Sequence, residues 1–289
     1  MQIGVSSYSY SRCVREKRML ETDIPAKAKE QGFDAVEFAG ISPPDGTPLH
    51  EYAARLKETA AACGIPIVNY AIGADFLGGS GGDLAKEIAR VCREVDVARA
   101  LGSPMMRHDV MYGIPVGWTG GKSFKACVSR LAEGCRAVTE YAAGLGVKTM
   151  VENHGFVCQD SDRVELLIET VAHPNFGVLL DIGNFACADE DSGIAVGRLL
   201  PYTFHCHIKD FHIKCGDGAH PGSGWFNSRG GRFLRGAIVG HGDIPVSQCL
   251  RQIRNAKYAG VLSLEFEGLE DPFTGVAIGL ENTRRFLNI

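Results

Sequence analysis

The sequence predicts an α/β fold, a (β/α)8 TIM barrel in a single domain spanning residues 1–289. Strand-like and helix-like segments alternate eight times, glycines stop the helical runs, and acids or histidines end strand-like runs from distant parts of the chain. Alternating strands and helices imply a parallel sheet, and eight units in 289 residues match the size of the barrel. An open doubly wound sheet is the competing architecture. Against it, no GxGxxG follows the first strand, and the polar clusters are spread over many strand ends instead of one crevice.

Taken in order, the expected strands are "IGVSSYSY" (3–10), "DAVEFAG" (34–40), "PIVNYAIG" (66–73), "PMMRHDV" (104–110), "VKTMVENHG" (147–155), "GVLLDIGNF" (177–185), "TFHCHIKDF" (203–211) and "VLSLEFEG" (261–268). Between them, runs such as residues 84–102 and 127–146 return apolar residues at intervals of three and four, the period of an amphipathic helix. Glycine follows such runs at Gly32, Gly64, Gly102, Gly146 and Gly260, where a helix ends in a left-handed residue. "GGKS" (120–123) lacks the upstream spacing of a phosphate loop and reads as a helix start with Ser123 near the cap. One connection is abnormally long. Residues 212–243, rich in glycine and arginine, are expected to form a partial lid over the catalytic face.

A hydrophobic content of 45% with 22% charged residues fits a globular protein with a sizeable core. Net charge is −4 without a long basic run, so no nucleic-acid partner is expected. No apolar segment approaches the roughly 18 residues of a membrane span. The ten cysteines lack paired spacing, and "MQIGVSSYSY" lacks the charged and apolar regions of a signal peptide. The expected setting is the cytoplasm.

Polar residues at the C-terminal ends of barrel strands converge on one face. Glu152, Asp181, His207 and Glu265 end strands five, six, seven and eight, with Glu267 the competing acid on the last strand. Taken singly, such residues usually cap loops, and Asp181 before Ile-Gly-Asn suits an Asx turn. Taken together, three carboxylates and an imidazole suit a divalent cation such as Mn2+, Mg2+ or Co2+, with Zn2+ a further option; absent thiolates argue against structural zinc. Near them, His154, Lys209, Arg107 and His108 are candidate substrate-binding residues, with Glu37 a weaker one, and Asp210 is placed to orient a neighbour.

"VENHG", "LLDIGN", "HCHIKD", "GHGDIP" and "GVLSLEFEG" resemble successive signatures of the xylose isomerase-like TIM barrel superfamily, in its sugar phosphate isomerase/epimerase branch. The resemblance implies that Glu152, Asp181, His207 and Glu265 bind one metal, with Mn2+ favoured. It also implies that Glu152 and Glu265 are the catalytic acid/base pair. A cation beside a ketone stabilises the enediolate formed on proton loss. Return of the proton to the other face of the same carbon gives epimerisation, and return to the adjacent carbon gives isomerisation. Ketose 3-epimerases place a sugar-binding histidine three residues after the metal aspartate, where this chain has Asn184. Asn184 is therefore a further candidate substrate-binding residue, which accepts or donates a hydrogen bond but carries no proton. That departure admits a lyase or dehydratase acting on a keto-inositol or 3-keto-glycoside. The endonuclease IV branch, a trinuclear-zinc phosphodiesterase, is disfavoured because the first three strands supply no histidine. The resemblance further implies a carbohydrate substrate and a homo-oligomer, dimer or tetramer. Whether the substrate carries a phosphate is open, with Arg229, Arg232 and Arg235 as candidate ligands for one.

Overall fold

The computed structural model describes residues 1–288. Strands β1 (Gln2–Ser6), β2 (Ala35–Ala39), β3 (Ile67–Ile72), β4 (Met105–His108), β5 (Lys148–Glu152), β6 (Phe176–Asp181) and β7 (Thr203–Ile208) run parallel. Three short strands follow, β8 (Asp210–Lys214), β9 (Phe226–Asn227) and β10 (Phe233–Ala237). Then β11 (Val261–Leu264) pairs with both β7 and β1 and closes an eight-stranded barrel. This is the (β/α)8 TIM barrel expected from the alternation.

The outer ring is α1 (Ser11–Arg15), α2 (Ile24–Gln31), α3 (Leu49–Ala62), α4 (Leu84–Leu101), α5 (Phe124–Gly144), α6 (Ser161–Val171), α7 (Ser192–Leu199), α8 (Val246–Asn255) and α9 (Pro272–Leu287). Their starts are chemically marked. Asp83 accepts the Lys86 N–H at the head of α4, and Ser123 accepts that of Ala126 at the head of α5, satisfying donors a helix leaves unpaired. Gly32 and Gly102 end α2 and α4 with φ of 92° and 76°, a conformation that strains any residue with a Cβ. After α8 the left-handed residue is Lys257 (φ 57°), three positions before the expected Gly260. Apolar side chains such as Phe33, Phe38, Phe76 and Phe185 are fully buried in a continuous core.

Several strand expectations ran too long, among them "VLSLEFEG", which ends as strand at Leu264. "SYSY" is a 3-10 turn (Ser7–Tyr10), with the Ser6 hydroxyl accepting the Tyr8 N–H at 3.4 Å; short hydroxyl side chains offer the backbone such local alternatives. "TFHCHIKDF" is two strands, interrupted at Lys209. The expected irregular segment at 212–243 is also more ordered than its glycine content suggests, because β8, β10 and β9 form a three-stranded antiparallel sheet.

Register carries the functional consequence. Between β6 and β7 the pairing steps from Val178↔Thr203 to Leu179↔His205, so Phe204 is the extra residue of a bulge. That step sets Asp181 directly beside His207. On its other side His207 pairs with Ser263 of β11.

Candidate metal centre

Glu152 and Asp181 are the last residues of β5 and β6, His207 is next to last in β7, and Glu265 follows β11. All four are buried, and one ligand atom from each lies within 4.8 Å of the others. His207 Nδ1 is 3.6 Å from Glu152 Oε1, 3.6 Å from Glu265 Oε2 and 3.8 Å from Asp181 Oδ2. Buried polar atoms are nearly always hydrogen-bonded, yet His207 Nδ1 and Asp181 Oδ2 have no hydrogen-bond partner. A cation among these atoms satisfies both. Three carboxylates and one imidazole fit a divalent cation such as Mn2+, Mg2+, Co2+ or Zn2+. Glu267 stands outside the set, with Oε2 3.8 Å from the Lys209 ammonium.

Asp181 makes the Asx turn its sequence context allowed and still faces the candidate centre. Its Oδ1 accepts the N–H groups of Gly183 at 2.7 Å and Asn184 at 3.0 Å, an Asx turn, while Oδ2 is turned to the centre. Burial, with Glu152 and Glu265 nearby, raises its pKa despite the opposing Lys209 charge. Lys209 Nζ lies 2.6 Å from Glu265 Oε2 and 3.2 Å from Asp181 Oδ2, the latter without hydrogen-bond alignment. Burial alone would raise Glu265, but Lys209 and His207 hold it well below the ordinary carboxylate range. Burial favours a neutral His207, yet Glu37 and Glu265 push its pKa well up.

A second network braces the rim. Arg107 places Nε 2.7 Å from Glu152 Oε2 and Nη2 2.8 Å from Asp109 Oδ1. His154 Nδ1 is 2.9 Å from the same Asp109 oxygen, and the Tyr112 hydroxyl donates to Asp109 Oδ2 at 3.2 Å. Burial opposes ionisation of Asp109, but Arg107 and then His154 hold its pKa down at about 2. Asp109 was missed from sequence. The available signal was side-chain alternation, since it has the parity of Arg107 two residues before it.

The same alternation corrects the reading of His108 as a substrate ligand. Adjacent residues of β4 face opposite sides, and Arg107 takes the inner one. His108 is fully buried, edge-on to Phe76 and stacked on Phe176, with Nδ1 2.8 Å from the Asp109 carbonyl. Asn184 lies behind the cavity, its Nδ2 donating to Glu152 Oε1 at 3.0 Å and its Oδ1 accepting from Lys209 at 3.2 Å. Asp210 organises a loop: its carboxylate accepts the N–H groups of Gly240, Gly242 and Ile244, which accounts for the "GHGDIP" segment. Arg229 is taken by the Phe156 carbonyl and Asp160, and Arg232 lies 3.5 Å from Asp189, leaving Arg235 the weakest paired at 4.0 Å from Glu270.

The centre opens into a cavity of about 500 Å3 whose wall includes Arg107, His154, Lys209 and Glu267, with Tyr8 and Tyr70 from the first and third strand regions. This lies within the roughly 300–1,000 Å3 of small-molecule sites. Tyr8 was also missed, because "SSYSY" was read as a strand without ligands. Among the described residues, no helix is long and apolar enough to cross a membrane.

No curated protein matches the sequence. Among solved structures, the D-psicose 3-epimerase of Clostridium cellulolyticum H10 with D-tagatose superposes with a TM-score of 0.72 at 18% identity, covering 99% of each chain. The 3-keto-D-glucoside 4-epimerase of E. coli gives 0.71 at 16% identity, also over 99% of each chain. The probable 3-DHS dehydratase of Bacillus anthracis gives 0.70 at 18% identity, over 100% of this chain and 99% of that one. At these identities the likeness is one of fold. The family model described as xylose isomerase-like TIM barrel matches residues 25–286, and the chain belongs to that family.

Proposed function

We propose that the protein is a divalent-metal-dependent isomerase or epimerase of a sugar or keto-sugar, with Mn2+ the favoured ion. The observation that carries this reading is the pair of unpartnered buried atoms, His207 Nδ1 and Asp181 Oδ2, among four converging ligand side chains. When bound, the cation supplies Lewis-acid polarisation of a substrate ketone and its neighbouring hydroxyl. Glu152 and Glu265 are the acid/base pair, arriving from β5 and from the end of β11 on different parts of the barrel mouth. One removes the proton beside the ketone and the other returns it, provided each reaches that proton at hydrogen-bond distance. Arg107 and Asn184 orient Glu152 through its two oxygens, while Lys209 and Ser6 orient Glu265. Lys209 and Arg107 present hydrogen-bond donors to substrate oxygens from the cavity wall, which His154 also lines.

A second reading, a carbon–oxygen lyase on a keto-inositol or 3-keto-glycoside, is favoured by the His154–Asp109 pair. Asp109 bonded to Nδ1 leaves Nε2 of a neutral ring as a proton acceptor at the cavity, a third group able to serve a leaving oxygen. Both readings share proton loss beside a ketone. The test is solvent-deuterium incorporation into ketoses, keto-inositols and 3-keto-glycosides with the Mn2+-loaded protein, followed by product identification. Exchange with retained composition supports the isomerase or epimerase, exchange with loss of water or alcohol supports the lyase, and no exchange throughout the panel contradicts both.

A further inference from the structure

Below the candidate metal centre lies a second buried cluster, Glu37, His205 and His207, with Ser263 and Asn69 beside it. All five residues are enclosed, none more than 1% exposed. Glu37 reaches in from the middle of β2, which β1 and β11 separate from β7 in the barrel order. Its Oε1 is 2.6 Å from His207 Nε2, and its Oε2 is 2.6 Å from His205 Nε2. His205 Nε2 is also 3.0 Å from Ser263 Oγ, and Asn69 Nδ2 donates to Glu37 Oε2 at 3.4 Å. His207 therefore stands between two acidic environments: Nε2 toward Glu37, Nδ1 toward Glu152, Asp181 and Glu265.

The cluster is not laid out for an ion of its own. Nitrogen and oxygen ligands about 2.0–2.2 Å from a tetrahedral ion stand about 3.3 Å apart. The Glu37 oxygens are 2.6 Å from both imidazoles, the length of a strong hydrogen bond. An ion here would also require His207 to bridge two metals. Two ring nitrogens at 2.6 Å and the Asn69 amide aim three donors at the two Glu37 oxygens, the surroundings of an ionised carboxylate.

We infer that Glu37 is a positioning residue for the metal centre, fixing which nitrogen of His207 faces the three carboxylates. This rests on the assignment of that centre. An ionised carboxylate only accepts hydrogen bonds, so both imidazoles must present Nε2–H to it. With its proton held on Nε2, a neutral His207 turns the Nδ1 lone pair toward Glu152, Asp181 and Glu265. The negative charge behind the ring also strengthens the lone pair as a ligand. His205 and Asn69 hold the other Glu37 oxygen, Oε2, and Ser263 Oγ lies 3.0 Å from the same His205 nitrogen. Room for Ser263 comes from Gly4, where a Cβ would meet Ser263 Oγ at 2.9 Å.

Glu37→Gln tests the inference with little change of shape. The amide has one acceptor oxygen for two rings and carries no charge, so His207 loses basicity and, when the amide nitrogen faces it, its tautomer as well. The folded variant, checked by circular dichroism in chelator, is titrated with Mn2+ and Zn2+ against a competing chelating dye. The expected result is affinity lowered by about 10- to 100-fold. A second measurement uses wild-type protein alone: 15N NMR of the Zn2+-loaded form is expected to place the His207 proton on Nε2. Equal affinity in folded Glu37→Gln, or a proton on His207 Nδ1 in the loaded wild type, overturns the inference. Failure of the wild type to bind either ion overturns the metal centre itself, a different result.

Discussion

Arg107 Nε lies 2.7 Å from Glu152 Oε2, with both side chains buried. The pair fixes one carboxylate oxygen and leaves Oε1, 3.6 Å from His207 Nδ1, for the candidate metal centre. Burial alone would raise the Glu152 pKa, but Arg107 first and His207 second lower it. Arg107→Leu removes the cation and strands Glu152 and Asp109 in the interior. We expect a loss of about 3–5 kcal/mol in stability, as for other buried pairs broken on one side, measured by urea unfolding. Arg107→Lys is expected to recover part of this loss but not the fork that spans Glu152 and Asp109.

Asn184 links Glu152 to Lys209, and Asn184→Ala deletes both contacts. A stability loss of about 1–3 kcal/mol is expected from the buried groups left unpaired. Deuterium exchange into a working substrate is expected to slow while metal stoichiometry holds. Stoichiometry falling in parallel with exchange would move Asn184 from orienting Glu152 to assembling the centre.

Gly183 passes close to the chain just after β7: a Cβ there would lie 2.8 Å from the Lys209 carbonyl oxygen. Its φ of −89° is open to any residue, so only this approach demands glycine. Gly183→Ala is expected to cost about 1–3 kcal/mol through overpacking and to weaken metal binding by shifting Asp181 or Lys209. Unfolding and metal titration of one sample check both.

The barrel was readable because it rests on local regularities: eight alternations, helix stops such as Gly32 and Gly102, and caps such as Ser123. The convergence of Glu152, Asp181, His207 and Glu265 followed from the rule that barrel strands share one catalytic end. Depth along a strand was harder to read. His205 and His207 have the same parity and both touch Glu37, yet only His207 reaches the centre. Tyr8 and the true role of Asp210 depend on where loops fold back, and nothing periodic encodes that. His108 was misread through neglect of alternation, a signal the sequence did contain.

His108 also gives the clearest pH dependence. Burial lowers its pKa to about 4, against 6.5 for an unburied imidazole. The unfolded chain then binds the extra proton between those values. The stability from keeping this ring neutral is fully present above pH 6.5 and is lost as pH falls toward 4. The shift corresponds to about 3 kcal/mol. His108→Phe, which preserves an aromatic between Phe76 and Phe176, is expected to flatten this part of the stability profile, as followed by denaturant titration at stepped pH.

The central claim is that Glu152, Asp181, His207 and Glu265 hold one divalent cation that supports chemistry beside a ketone. Elemental analysis after dialysis against Mn2+ at the lowest free concentration that saturates the wild type tests it most directly, applied to the wild type and to Asp181→Asn and His207→Ala proteins shown to be folded. One ion per chain in the wild type, falling to well under a tenth in both variants, is the expected result. One ion per chain in all three proteins, or none in the wild type at saturating Mn2+, would contradict it.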